Sequence, residues 1–321
     1  MDPVQTLTLD LCVVVPAHNE ETNLPLLVNE LSAALERAGI VFQVLFVDDG
    51  SRDHTADVIR RLAATHKHVR AIILSRNFGH QAAVSIGLRY ARGRAVAVMD
   101  ADLQDRPEDL VQLYRRYLEG ADVVYAVRRS RPENIFKRSA YAVFYRLLTR
   151  LASVPIPVDS GDFCVMSAEF VTRLNQLPER LRFLRGLRAW IGGRQVSHPV
   201  DRDPRRTGKP QYTFSKLCRL AIDGFISFSY VPLRVASMLG FLISGLALIG
   251  IVVVLIWRVM GLLPKGAGVA TIALSVLFIG GVQLLTLGVL GEYVGRIFDE
   301  VKGRPIAIVS EIVGEGESPD V

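Results

Sequence analysis

The chain has 321 residues, half of them hydrophobic and 22% charged, with a formal net charge of +6 and a mean hydropathy of +0.28. This composition excludes a disordered, collagen-like or disulfide-framework chain. Cys12, Cys164 and Cys218 lie far apart with no CxxC pair, so neither a zinc ribbon nor a dithiol motif is supported, and the sparse, odd count suits a reducing compartment. A basic balance is open to nucleic acid, anionic lipid or phosphorylated ligands, and the location of the charges decides among them.

Residues 1–10 carry Asp2 and Asp10 and no basic stretch, and the first apolar run is too short for a secretory signal. The first 215 residues are therefore expected to stay in the cytoplasm. Leu11–Val15 reads as a buried strand ending at Pro16, followed by a polar loop and a helix from Asn23 to Ala38. Val44–Val47 is a second strand, then a helix over 55–65, a third strand Ala71–Leu74 and a helix over 81–91. A fourth strand Ala95–Met99, a helix over 107–118 and a fifth strand Val123–Val127 complete the pattern. Alternating strands and helices predict βαβ units and a mainly parallel sheet. In such sheets ligands bind beyond the carboxyl ends of the strands, where His18-Asn19-Glu20, Asp48-Asp49, Asn77, Asp100-Asp102 and Arg128-Arg129 all fall.

Two segments, 136–151 and 216–231, mix basic, aromatic and aliphatic residues at helical spacing. Each is either a helix packed on the domain or, preferred here, a helix lying in a membrane interface. Residues 235–257 and 269–291 contain no Asp, Glu, Lys, Arg or His. At 1.5 Å per residue each is long enough for a ~30 Å hydrocarbon core. The loop between them holds two basic residues, Arg258 and Lys265, against six on the outer flanks, so both ends are expected in the cytoplasm. Gly291 and Gly295 offer a close-packing pair, and Gln283 a polar group inside the second stretch. The expected organisation is a catalytic domain over 1–215, a juxtamembrane amphipathic helix over 216–234, a two-helix hairpin over 235–295 and a cytoplasmic tail over 296–321.

Asp100 and Asp102, two carboxylates spaced i, i+2 at a strand end with Gln104 and Asp105 beyond, suit a hard cation. Oxygen donors without nearby His or Cys point to Mg²⁺ or Mn²⁺, not zinc. Asp49-Gly50 is either a tight turn, with Ser51 or Asp53 capping the next helix, or a ligand carboxylate. Arg128, Arg129 and Arg131, then Arg205, Arg206 and Lys209, can hold phosphate or anionic lipid. No nucleic-acid motif accompanies them, so nucleic acid is not an expected partner. Dinucleotide GxGxxG, P-loop and GxSxG motifs are all absent.

Taken together, PAHNEE (16–21), VDDGS (47–51), the NFG loop (77–79), DADLQD (100–105), SGDF (160–163), an Arg205-x-x-Gly208-x-x-x-Tyr212 loop and LGEYVGRIFDEVKGRP (290–305) resemble the family-2 inverting glycosyltransferases. The resemblance, over residues 10–310, is to the polyisoprenyl-phosphate subgroup, which includes bactoprenol glucosyltransferases and dolichyl-phosphate mannose synthases. It implies a GT-A fold, Rossmann-like with a mainly parallel sheet, in the cytoplasm plus two C-terminal transmembrane helices. It implies a multi-pass protein of the bacterial inner membrane, a UDP-sugar donor, a polyprenyl phosphate acceptor, a divalent ion and, as an assembly, a homotetramer.

Site residues carry over position by position. Pro16, His18, Glu20, Asp48, Asp49 and Asn77, with Asp100 and Ala101, would hold the nucleotide. Asp100, Asp102 and Gln104 would hold the metal, so Asp102 and Arg128 join Asp162 as catalytic positions. Asp162 would face the acceptor. Arg128, Arg131, Arg206, Lys209 and Tyr212 would hold phosphate or acceptor. The sequence departs from the family's pattern at Gly208-Lys209-Pro210-Gln211-Tyr212, where a Ser-Lys pair is usual and Ser215-Lys216 lies nearby, and at His18, where Tyr is more frequent. The expected reaction is inverting transfer, with glucose the favoured sugar, giving a β-linked polyprenyl-phosphate sugar at the inner leaflet. The rivals are a processive polysaccharide synthase and a catalytically silent membrane scaffold. The former is disfavoured because Leu187-Arg188-Ala189-Trp190 lacks the Gln of QxxRW.

Overall fold

The computed structural model describes residues 9–128, 160–180, 182–201, 231–260 and 268–314. These fall into two compact units, one of the residues before 202 and after 304, the other of residues 231–304. Segment 136–151, nearly all of 216–234, and Arg131, Arg206, Lys209 and Tyr212 lie outside the described residues.

The first unit is an eight-stranded sheet between two helical layers. In chain order its elements are β1 (Leu11–Ala17), α1 (Leu24–Arg37), β2 (Phe42–Asp48), α2 (Thr55–Thr65), β3 (Val69–Leu74), α3 (His80–Tyr90), β4 (Ala95–Val98), α4 (Pro107–Leu118) and β5 (Val123–Arg128). Then come β6 (Ser160–Ser167), α5 (Ala168–Gln176), α6 (Leu184–Ile191), β7 (Gln195–Val200) and, after the second unit, β8 (Val309–Val313). The order across the sheet is β7-β5-β6-β4-β1-β2-β3-β8. β6 pairs antiparallel with both β4 and β5, β8 pairs antiparallel with β3, and the other pairings are parallel. Strands β1 to β4 are buried on both faces, as parallel strands covered by helices must be. Leu11, Val13 and Val15 pack with α1, α2 and α4, whereas Cys12 and Val14 pack with α3, α5 and α6.

Local chemistry sets the helix ends. Pro25 and Pro107 open α1 and α4, where a missing N–H costs nothing. In α4, Glu108 and Asp109 sit in the first turn and Arg115 and Arg116 in the last, matching the helix dipole. The Ser167 hydroxyl accepts the Phe170 N–H at 3.1 Å and caps α5. A Cβ on Gly87 would meet Val14 Cγ1 at 2.2 Å, so α3 packs against β1 at a distance only glycine permits.

Three features differ from the sequence reading. Pro16 does not end β1; the strand runs on to Ala17 opposite Asp48. The Val14 carbonyl faces the β4 side and the Ala17 carbonyl the β2 side. By alternation Pro16 faces the β4 side, where the ladder stops at Val14–Val98, so no hydrogen bond is lost there. Ser160–Ser167, around the SGDF motif, is a strand inserted between β4 and β5. Within the stretch read as a tail, Val309–Val313 is a strand that extends the sheet past β3. The β8 edge is also tied by Ser75 N–H to the Ile308 carbonyl at 2.9 Å and by the Arg60 guanidinium to Glu311, with Nη2 to Oε2 at 2.7 Å.

The second unit contains α7 (Val231–Val259) and α8 (Val269–Val301), which contact each other. Both are long and apolar enough to cross a membrane, over Ala236–Val254 and Ser275–Val301. Large apolar side chains such as Phe241, Leu277 and Leu284 are exposed on them.

Removal of residues 304–321 should lower the thermal midpoint of the detergent-solubilised protein far more than Glu311→Ala does. The Arg60–Glu311 pair is about 40% exposed on each side and contributes under ~1 kcal/mol. Each lost ladder hydrogen bond costs a comparable amount, and β8 supplies several. Equal shifts in the two variants would contradict this.

Candidate active site

The strand order changes direction between β1 and β4: β2 and β3 follow on one side, β4 on the other. Such a switch point leaves a crevice beyond the carboxyl ends of those two strands. His18, Asn19 and Glu20 leave β1 there, and Asp100, Ala101 and Asp102 leave β4.

The residues expected from the sequence to hold a nucleotide are brought together. The Asp49 carboxylate accepts the Phe78 N–H at 2.7 Å and the Gly79 N–H at 2.9 Å, one on each oxygen. It thus pins the loop after β3 to the end of β2. Gly50, at φ +59°, lets the two loops touch, since a Cβ there would lie 2.2 Å from the Arg76 carbonyl carbon. Asp48 is buried and accepts both the backbone N–H and the hydroxyl of Ser51. Burial raises both carboxyls above the ordinary range, against the pull of those hydrogen bonds. The sequence left Asp49 as either turn or ligand; in the structure its carboxylate accepts from the loop after β3 and that of Asp48 from Ser51.

His18 Nδ1–H donates to the Asp49 carbonyl at 3.0 Å, Asn19 Nδ2 lies 3.2 Å from Nε2, and Asn77 Nδ2 lies against the ring edge, 3.2 Å from Nδ1 and 3.3 Å from Nε2. A carbonyl only accepts, so Nδ1 carries the proton and Nε2 accepts from Asn19. Asn19 takes φ +58°, with its side chain accepting the Arg52 N–H at 2.9 Å. Glu20 holds Asn23 at 2.5 Å, and its N–H donates to Thr55 Oγ1 at 2.8 Å. His18, Glu20, Asn77 and the loops fixed by Asp48 and Asp49 therefore form one hydrogen-bonded wall.

The opposite wall is acidic. The β4–β6 ladder ends with Val98 paired to Cys164; Asp100 lies two residues beyond the one and Asp162 two before the other. Between them stands His80, at the start of α3, with Nε2 3.9 Å from Asp100 Oδ1 and 3.6 Å from Asp162 Oδ2. Arg185 of α6 grips Asp162 through Nε to Oδ1 at 2.8 Å and Nη2 to Oδ2 at 3.0 Å. Gln81 Nε2 lies 3.4 Å from Asp162 Oδ2, and its Oε1 accepts the Leu184 N–H at 3.1 Å. Burial pushes the Asp162 carboxyl up, but the hydrogen bonds and charges of His80 and Arg185 outweigh it and hold the group well below the usual carboxylate range. Burial likewise opposes charge on His80, and the two aspartates outweigh it, raising its imidazole. Sequence reasoning found Asp100 and Asp162 but missed His80, Gln81 and Arg185; the only signal for the first two was their place directly after the NFG loop.

Asp102 is buried, Gln104 N–H donates to its Oδ1 at 3.2 Å, and Leu103 between them takes φ +57°. That conformation is uncommon for a bulky residue, and strain of this kind concentrates where a loop must aim particular groups. Ala101 is buried behind the turn. Arg128 ends β5 on the strand next to β6. Among the described residues no three His, Cys, Asp or Glu side chains form a metal-binding group. The sequence showed no histidine near Asp100, but the fold brings His80 to 3.9 Å from it, shared with Asp162; the carboxylates of Asp100 and Asp102 still fit Mg²⁺ or Mn²⁺, because such ions are held through one or two carboxylates with substrate phosphates completing the shell.

Asp49→Ala should release the 77–79 loop and lower global stability by ~1–3 kcal/mol, since two backbone donors lose their acceptor; urea unfolding measures this, and an unchanged midpoint would contradict it. Asp162 also sets a pH dependence. An acid whose folded pKa lies below its unfolded value gives stability that is complete above ~pH 4 and lost as pH falls toward the folded value. Acid should therefore destabilise the wild type more steeply than Asp162→Asn below ~pH 4, as followed by thermal midpoint against pH.

The Glycosyl transferase family 2 model matches residues 12–174. An uncharacterized glycosyltransferase of Synechocystis sp. is 41% identical over 309 residues, covering 96% of this chain and 97% of its own. A bactoprenol glucosyl transferase of Shigella phage SfII is 36% identical over 308 residues, covering 94% and 98%. Among solved structures, a mannosyltransferase from Pyrobaculum calidifontis in complex with GDP-Man and Mn²⁺ is similar over 92% of this chain and 88% of its own, at 20% identity and a TM-score of 0.47. With a mostly parallel GT-A-like sheet, paired aspartates at its switch point and two long apolar helices near the C-terminus, the chain belongs to glycosyl transferase family 2.

Proposed function

We propose that the protein transfers a sugar, glucose being favoured, from a UDP-sugar to a polyprenyl phosphate at the inner face of a bacterial cell membrane. The observation that carries this reading is similarity along the whole chain, both apolar helices included, to proteins named bactoprenol glucosyl transferase. The acidic crevice at the switch point supports it as well.

The wall of His18, Glu20 and Asn77 receives the uridine, with Asp48 and Asp49 keeping the loops in place. His18 offers an aromatic face for stacking on the base. Asp100, Asp102 and Gln104 hold Mg²⁺ or Mn²⁺, which when bound neutralises charge on the donor diphosphate. An acceptor phosphate oxygen attacks the anomeric carbon as the bond to the diphosphate breaks, and UDP departs with the electron pair. This single displacement inverts the anomeric centre, so an α-linked donor gives a β-linked product. The nucleophile is already anionic at neutral pH, since a phosphomonoester loses its second proton near pH ~6, and no side chain must remove a proton. Arg128 stabilises the departing charge, joined by Arg131 and Arg206, while Lys209 and Tyr212 serve the acceptor. Asp162, ionised and fixed, orients a hydroxyl of the sugar or the acceptor. The apolar helices cross the membrane, at whose surface the acceptor phosphate lies.

Incubating the full-length protein with labelled UDP-sugars and undecaprenyl phosphate, followed by lipid extraction, tests the reading. Label should enter the lipid phase from UDP-glucose above other donors. EDTA should silence the reaction, Mg²⁺ or Mn²⁺ should restore it, and Asp102→Ala should lower it by at least ~100-fold. Label in an insoluble polymer would favour a processive synthase, and no transfer from any donor would favour a silent scaffold.

A further inference from the structure

We infer that Arg185 is a positioning residue for transfer, holding Asp162 in one orientation toward the crevice. The inference rests on the transfer reading above and deepens it. Arg185 meets both oxygens of Asp162, at 2.8 and 3.0 Å. A bidentate fork of this kind fixes the plane of the carboxylate as well as its distance, which a lysine ammonium does not do.

The grip is built into the packing. Gln81 reaches Asp162 with its amide nitrogen while its oxygen accepts the Leu184 N–H, so α3 is joined to the residue just before Arg185. Arg188, one turn further along α6, donates to the Gly161 carbonyl at 3.0 Å, next to Asp162 in the chain. Residues 161 and 162 are thus held from α6 at two places, by Arg185 and Arg188, and from α3 at two, by His80 and Gln81. The contrast with Arg173–Glu169 on α5 is clear: that pair is 53% and 76% exposed and spans a single helical turn. In the Arg185–Asp162 pair the carboxylate is 15% exposed and the guanidinium 35%. Freed of Arg185, a buried carboxylate facing Asp100 would swing toward water or another donor, and the hydroxyl it orients would lose its acceptor.

The test is a double-mutant cycle on the full-length enzyme, reading kcat and KM for UDP-glucose with undecaprenyl phosphate as acceptor. Arg185→Gln should lower kcat ~10–100-fold, the usual range when an orienting partner is lost, with KM for the donor changed less than ~3-fold. Arg185→Lys should fall between it and the wild type. In an Asp162→Asn background the same Arg185→Gln change should cost less than ~2-fold, because a residue acting through Asp162 has nothing left to orient. Additive losses would overturn the inference, as would a loss appearing mainly in KM. If Arg185→Gln does not fold, Arg185→Lys with and without Asp162→Asn gives the same comparison. An inactive wild type would overturn the transfer reading and this inference together, whereas an active wild type with unimpaired Arg185→Gln overturns the inference alone.

Discussion

Two carboxylates that converge on one imidazole repel each other, and a fold that places them so must supply the compensation. Asp100 and Asp162 both approach His80 Nε2, at 3.9 and 3.6 Å. His80 stands between the two and Arg185 behind one of them. The positions of α3 and α6 therefore serve electrostatics as much as packing. Gly87 brings α3 down onto Val14, and with it the N-terminal His80 and Gln81 to the acidic wall.

The opposite wall of the crevice depends on a different economy of groups. Asp48 and Asp49 are almost fully buried, yet Asp48 is answered by Ser51 of its own turn and Asp49 by two backbone donors of the loop after β3. A buried carboxylate without donors would be costly; with them it becomes a fastener. The loops after β1, β2 and β3 are thereby locked into one surface.

Strands β1 to β5 were legible because β-branched and aliphatic runs alternate with helical periods. β6 was not. Its entry, Ser160-Gly161-Asp162, reads as a turn, and only pairing with two neighbours makes it a strand. β7 contains Pro199 and polar residues, which suit its edge position but hide it from a pattern search. β8 follows a 33-residue helix and looks like the polar end of a chain. For the site, acidic residues at strand ends could be found by position alone. The partners of Asp162 could not, because Gln81 lies 81 residues away and Arg185 23, and only an antiparallel register brings them together. The partners of Asp49 were hidden too, since its donors belong to a loop thirty residues further on.

The pairing of β3 with β8 has a consequence for synthesis. More than 200 residues separate Leu74 from Val309, and both apolar helices lie in that interval. At ~5–20 residues per second, the outer edge of β3 stays unpaired on the ribosome for on the order of ten seconds or more. An open edge of this kind invites pairing with other chains, so the nascent domain is most exposed to misassembly during the interval when its hydrophobic helices emerge. Closure of the sheet comes last and takes place only in a chain that has been translated through both of them.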